Sequence, residues 1–212
     1  LFIVNYSLFI NIKAMSQPLL QHAEYSHLLP AAHSLLEQHA DKIREHLVST
    51  GAAMEVLANK FGGDPETWKV AGMLHDLDWD KLEKDAEEHC GKTLDEMIEP
   101  IEAPAELLAD IKSHYAEKYG EEHPLDTMLR KCLYCVDELT GFIVAVALVR
   151  PSKKLEDVKV KSVKKKLKDK GFAAQVNREQ IMKCEELIGI PLDEFIEITL
   201  DAMKGIAEEI GL

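Results

Sequence analysis

Apolar positions along the chain recur at steps of three and four, and stretches of strict alternation are scarce, so the pattern predicts helices almost throughout. Residues about 31 to 61 read as one or two helices ended by Gly62-Gly63. Asp64-Pro65 supplies an N-cap and a first-turn proline for a helix through Trp68, Val70, Ala71 and Leu74, which runs out at His75-Asp76. A short helix from about Asp80 to Glu88 follows, and Thr93-x-x-Glu96 reads as a capping box opening another. Pro104 starts a helix through Leu107, Leu108, Ile111 and His114, closed off by Gly120 and Pro124. Residues 126 to 149 form the longest apolar helix, which Pro151 breaks. Beyond Gly171, Asn177 caps a helix ending at Gly189, and Pro191 starts the last one. There Leu192, Phe195, Ile196, Thr199, Met203, Ile206 and Ile210 mark one buried face.

No internal repeat or low-complexity linker interrupts this pattern. The expected fold is therefore all-α: a single helical domain over 15–212, with a core at about 40–150 and a helical extension at 151–212. A chain of 212 residues with 46% apolar and 30% charged residues buries a sufficient core without disulfides or a structural metal, so a metal here would be functional. The uncharged part of the long apolar helix, Leu139 to Val149, is far shorter than the roughly 20 residues a membrane span needs. Leu1 to Ala14 is apolar but also too short to span, and it lacks the basic start of a signal peptide. It reads as a disordered lead or an artefact.

Charge narrows the partners. The net charge of −13 argues against a protein that coats DNA, because such affinity comes largely from Lys and Arg neutralising phosphates. Residues 152 to 170 nevertheless hold nine Lys against Glu156, Asp157 and Asp169, a local +6 on a body of −19. A basic strip on an acidic body suits a small anionic ligand. Four cysteines form no secreted-type framework, which points to a reducing, cytoplasmic setting. Cys132-x-x-Cys135 lies inside a helical stretch with no second such pair, and buried helical thiols explain it better than a redox or zinc site.

The chemistry resides in His46, His75-Asp76, His89, His114 and Asp137. With nine His and 14 Asp in the chain, about 0.6 His-Asp dipeptides are expected by chance, so the dipeptide alone proves nothing. Its context carries more. Asp137 is a carboxylate within the most apolar helix, where an unpartnered charge is costly, so a cation, a metal or a strong donor is expected beside it. Thr140 and Gly141, three and four residues on, leave room on the same face.

The order His46, His75-Asp76, Asp137, with one helix ending in Gly-Met-Leu-His-Asp, resembles the HD superfamily of metal-dependent phosphohydrolases. The segments HLVSTGAAMEVLA, WKVAGMLHDLDWD and DELTGFIVAVALVRPSKK are similar to a group of small predicted hydrolases within it, and the likeness covers roughly residues 40 to 212. The resemblance implies an HD-domain helical bundle in which His46, His75, Asp76 and Asp137 bind a divalent metal. Members with two further histidines between the His-Asp pair and the last Asp hold a second ion, with the aspartate of the pair bridging. His89 and His114 occupy that interval. Imidazole and carboxylate ligands suit one or two ions of Fe, Mn, Zn, Co or Ni.

Each residue also has a plainer reading. His89 lies in the charged run Glu87-Glu88-His89-Cys90, where exposure would explain it, and His114 ends a helix whose dipole favours an unbound His. His39 lies two turns before His46 on the same face and rivals it. His22, His27, His33 and His123 find no place in the motif and read as solvated. Asp78 and Asp80 follow the metal pair. Asp78 is the candidate to exchange a proton with the attacking water or leaving group, although either aspartate could simply cap a helix. Arg150, Lys153 and Lys154 are candidate phosphate contacts, yet 13 residues of straight helix would put Arg150 about 20 Å from Asp137.

The expectation is thus a phosphohydrolase acting on a nucleotide or other small phosphoester, in which a metal pair acidifies a water and neutralises charge on the phosphoryl group. An HD-type di-iron oxygenase and a non-catalytic nucleotide-binding module are the alternatives. The sequence leaves substrate, metal identity and oligomeric state open.

Overall fold

Two 21-residue helices, each about 30 Å long at 1.5 Å per residue, form the centre: α2 (Asp41–Phe61) and α7 (Met128–Leu148). The computed structural model describes residues 25–82 and 86–212, so the apolar lead and His22 lie outside the described residues. No strand occurs among them, and the helices share one hydrophobic core.

Local signals set most helix ends. Helix α2 stops at Gly62, which takes a left-handed conformation (φ 74°) and returns its N–H to the Ala58 carbonyl. Helix α3 (Pro65–Leu74) starts where the Asp64 carboxylate accepts the Thr67 N–H at 2.7 Å. Thr127 caps α7 in the same way through the Arg130 N–H, and Asn177 caps α9 (Arg178–Met182) through that of Gln180. Helix α1 (Leu29–Leu36) precedes this group, while α4 (Lys92–Ile98), α5 (Ala105–Lys112) and α6 (Ala116–Tyr119) lie between α3 and α7. The chain closes with α8 (Val160–Leu167), α9, α10 (Cys184–Ile188) and α11 (Leu192–Gly205).

Several elements are shorter than the pattern predicts. The stretch from Asp80 to Glu88 holds two 3-10 turns, Trp79–Lys81 and Ala86–Glu88, in place of a described α-helix. The expected capping box at Thr93 does not form: Gly91 takes the N-cap position of α4 and Thr93 falls inside the helix. Helix α5 ends at Lys112, which leaves His114 just beyond its last turn and free to aim inward. The segment from Asn177 to Gly189 divides into α9 and α10 at Lys183.

Helix α2 packs on α3, α7 and α11, with α3 making the most extensive contact. There the backbones nearly touch. A Cβ on Gly72 would stand 2.9 Å from Gly51 Cα and Gly51 N, and one on Gly51 would stand 2.7 Å from Met73 Cγ. Bulk at Gly72 would meet main chain, which cannot rotate aside. Gly72→Ala is therefore expected to push α3 off α2 and destabilise the fold by about 1–3 kcal/mol despite the better helix propensity of alanine. Equilibrium urea unfolding checks this, and an unchanged or raised midpoint would contradict it.

All four cysteines are free and buried, Cys132 and Cys135 within α7. Helix α11 buries Phe195, Ile196, Thr199 and Met203 as its periodicity predicts. Among the described residues, no helix is long and apolar enough to cross a membrane.

Candidate metal centre

Six side chains from five places in the chain converge beside the crossing of α2, α3 and α7. His46 lies in the first half of α2, His75 and Asp76 follow the end of α3, and Asp137 projects from the middle of α7. His89 follows the Ala86–Glu88 turn and His114 follows α5.

The donor atoms form two groups sharing one carboxylate. In the first, His46 Nε2 is 3.2 Å from His75 Nε2 and 3.1 Å from Asp137 Oδ1, which is itself 3.2 Å from His75 Nε2. In the second, Asp76 Oδ1 is 3.1 Å from His89 Nε2 and 3.2 Å from His114 Nε2, and those two nitrogens are 3.2 Å apart. The other oxygen of Asp76, Oδ2, is 3.6 Å from His46 Nε2. The Asp76 carboxylate thus spans both groups.

The far side of each ring fixes what the near side offers. His75 Nδ1 donates to the Gly72 carbonyl at 2.8 Å, and His114 Nδ1 donates to that of Ile111 at 2.6 Å. His89 Nδ1 donates to Asp78 Oδ1 at 3.0 Å. Thr140 donates its hydroxyl to the Asp137 carbonyl at 2.8 Å, leaving its oxygen to accept from His46 Nδ1 at 3.4 Å. In the neutral form each ring then has only a lone pair on Nε2. Four lone pairs and two carboxylates face one another, and Asp76 Oδ1 is buried without a hydrogen bond. Such an arrangement requires positive charge in its middle.

The spacing fits metal ions as that charge. Nitrogen and oxygen ligands about 2.1 Å from an ion stand roughly 3.0–3.4 Å apart in octahedral or tetrahedral coordination. The separations of 3.1–3.2 Å within each group match those edges. The buried His, Asp and Cys side chains can hold metal in two groups: His46, His75, Asp76 and Asp137 form one, and His89, Cys90 and His114 form the other. Carbonyls and a carboxylate behind the imidazoles also orient metal-binding histidines in general.

Protons are the competing cation. Burial opposes charge on His75, but the adjacent Asp76 carboxylate and the hydrogen bond that His75 donates to Asp137 outweigh it and raise its pKa to about 9. Burial likewise opposes charge on Asp76 and Asp137, and the facing histidines hold both below the usual carboxylate range. His75 therefore stabilises the metal-free fold fully below its ordinary value of 6.5, and that contribution is lost as pH rises through about 9. The two carboxylates contribute above their ordinary 3.8 and fade as pH falls. Chelator-treated protein is expected to lose stability between about pH 7 and 9 while metal-loaded protein does not, because metal binding displaces these protons. Denaturant melts at both ends of that window test it, and a metal-free protein equally stable at each would refute it.

Asp78, the sequence-level candidate for proton exchange, is fully buried with both oxygens engaged, accepting from His89 Nδ1 and, at 2.8 Å, from the Cys90 N–H. Its contacts are those of a residue that orients His89. Asp80 accepts from His39 Nδ1 at 2.9 Å, so His39, the rival of His46, is tied to the loop after α3 rather than to the cluster. His27 and His33 are exposed, and His123 stacks near Tyr119.

Arg150, Lys153 and Lys154, the candidate phosphate contacts, follow the C-terminal end of α7. Helix α7 runs unbroken to Leu148, so they emerge beyond its end, and Arg150 bonds Ser162 Oγ at 2.7 Å. The rise of the helix alone puts that end about 17 Å from Asp137.

Two further residues have no motif to mark them. Cys90 stands beside His89 with its sulfur turned inward, 3.5 Å from His89 Nε2. Glu138, next to Asp137, has its carboxyl pushed up to about 7 by burial and by the charges of Asp137 and Asp76. A hydropathy pattern contains no signal for either, since Cys90 depends on a left-handed backbone turn and Glu138 on its burial beside Asp137 and Asp76. Comparison with protein-family models, curated proteins and solved structures finds no match to the chain.

Proposed function

We propose that the chain is a metal-dependent phosphohydrolase of the HD superfamily, acting on a nucleotide or another small phosphoester. The observation that carries the reading is the shared carboxylate: Asp76 reaches His89 and His114 with one oxygen and His46 with the other. In this reading His46, His75, Asp76 and Asp137 hold one divalent ion, and Asp76, His89 and His114 hold the second. Bound there, two such ions would supply the chemistry of an acidified water and of charge neutralisation at a phosphoryl oxygen.

The protein's own part is orientation and access. Gly72, Ile111, Asp78 and Thr140 lock the four rings with Nε2 inward. His75 is sealed, whereas His46, Asp76 and Asp137 are 20%, 14% and 15% exposed, so a substrate approaches over that side. Trp79 is half-exposed, packs edge-on against His89 with ring centroids 4.9 Å apart, and offers a surface on which a base could stack. Four neutral imidazoles and two carboxylates leave a net positive centre once two divalent ions are bound, which favours an anionic substrate.

Protein loaded in turn with Mn, Fe, Co, Ni or Zn and offered nucleotides, dinucleotides, cyclic dinucleotides and sugar phosphates is expected to release phosphate or a nucleoside monophosphate. Absence of turnover with every metal would sink the hydrolase reading. Oxygen consumption confined to the iron-loaded form would replace it with oxidation.

A further inference from the structure

We infer that Cys90 is a ligand of the second ion, so that the two halves of the centre differ in chemistry: nitrogen and oxygen donors in one, and a sulfur donor added in the other. The inference rests on the two-metal reading and adds a residue outside its six donors.

Three observations converge on it. Cys90 has φ 57°, in the left-handed region that residues with a side chain seldom enter. Adjacent residues in a regular helix or strand point apart, and this backbone reversal is what lets His89 and Cys90 face the same place. The conformation is also fastened, since the Cys90 N–H donates to the buried Asp78 carboxylate that holds His89.

The sulfur is fully buried, 3.5 Å from His89 Nε2, and the donor atoms of His89, Cys90 and His114 lie within 4.8 Å of one another. A nitrogen at about 2.1 Å and a sulfur at about 2.3 Å from one tetrahedral ion stand roughly 3.6 Å apart. Independently of the cysteine, Asp76 Oδ1 is buried without a hydrogen bond between the imidazoles of His89 and His114, each about 95% buried. Asp76, His89, His114 and Cys90 then make a four-donor set.

Binding breaks the Cys90 S–H bond, leaves the electron pair on sulfur to form the bond to the ion, and releases the proton to solvent, with no change of oxidation state. A thiolate selects ions such as Zn²⁺ and Co²⁺ over Mn²⁺ and Mg²⁺. The second subsite is thus thiophilic, whereas the first, with two imidazoles and two carboxylates, is not.

Titration of the metal-free protein with Co²⁺ tests this. Two equivalents are expected to bind, one of them with a strong near-ultraviolet sulfur-to-cobalt charge-transfer band. Cys90→Ser and Cys90→Gly should lose that band, keep the visible bands of the other ion and bind the second ion at least ~100-fold more weakly. The glycine variant suits the left-handed backbone, so its folding is not at stake. Two bound cobalt ions without the band, or a band that survives in Cys90→Gly, would overturn the role of Cys90 while leaving the two-metal centre intact. Failure to bind cobalt at all would overturn both.

Discussion

Asp76→Ala is expected to remove metal binding and turnover together, with the fold retained. Among the described residues Asp76 lies between both groups of donors, so on the two-ion reading alanine would take a ligand from each ion at once. It also removes the carboxylate that lies against His46, His89 and His114, leaving Asp137 as the carboxylate facing the imidazoles. Loss of a residue that merely supports a ligand costs about 10–100-fold in metal affinity or activity, and loss of a shared ligand should exceed that for both ions. Elemental analysis and calorimetric titration give the first readout, and phosphoester turnover the second. Asp137→Ala provides the contrast, because Asp137 faces only His46 and His75 and its loss should empty one subsite while sparing the other. Asp76→Ala protein that still binds two ions would remove the basis for a bridging carboxylate. Binding lost for one ion alone would move Asp76 into a single subsite.

The features legible in the sequence are those whose cause is local. Asp64-Pro65 and Gly62 announce a helix start and a helix end because a cap acts on backbone groups within three or four residues of itself. The periodicity of α11 reveals its buried face for the same reason. The six candidate donors are singled out by residue type and order, and the fold does bring all six together. The remaining features depend on partners far along the chain. The near-contact of Gly51 and Gly72 is a property of two helices crossing. Asp78 looks like a cap or a proton carrier until residues 86–90 fold back so that His89 and Cys90 occupy its two oxygens. Cys90 carries no mark within the charged run Glu87-Glu88-His89-Cys90, because its inward turn follows from a left-handed backbone conformation. The unbroken run of α7 to Leu148, which sets Arg150 beyond its far end, is by contrast legible from the Pro151 that follows it.

The largest stability loss outside the candidate metal centre is expected at Asp110. Its carboxylate, 1% exposed, accepts from Arg130 Nε at 2.7 Å and from the Tyr25 hydroxyl at 2.9 Å, joining α5 to α7 and to the start of the described chain. Arg130 also bonds Asp126 at 3.1 Å and the Pro124 carbonyl at 3.2 Å, which holds its guanidinium at the entrance to α7 after Asp110 is removed. Asp110→Ala therefore strands the buried Tyr25 hydroxyl and leaves the largely buried Arg130 with the exposed Asp126 as its counter-charge, and breaking a buried pair from one side costs about 3–5 kcal/mol. Asp110→Asn keeps the shape and one acceptor, so it should cost less. Burial and the nearby Asp110 carboxylate hold the Tyr25 phenol well above its ordinary pKa of 10, so the tyrosine remains a neutral donor. His114 lies four residues beyond Asp110, just past the end of α5, and the ring it sends to the metal cluster depends on where that helix stops. Urea unfolding of metal-free and metal-loaded protein separates the two consequences. A loss of stability equal in both states places the effect in the scaffold, whereas a larger loss in the loaded state shows that α5 also sets the position of His114. A metal-free loss below about 1 kcal/mol would mean that the pair is solvated or replaced, contrary to its burial.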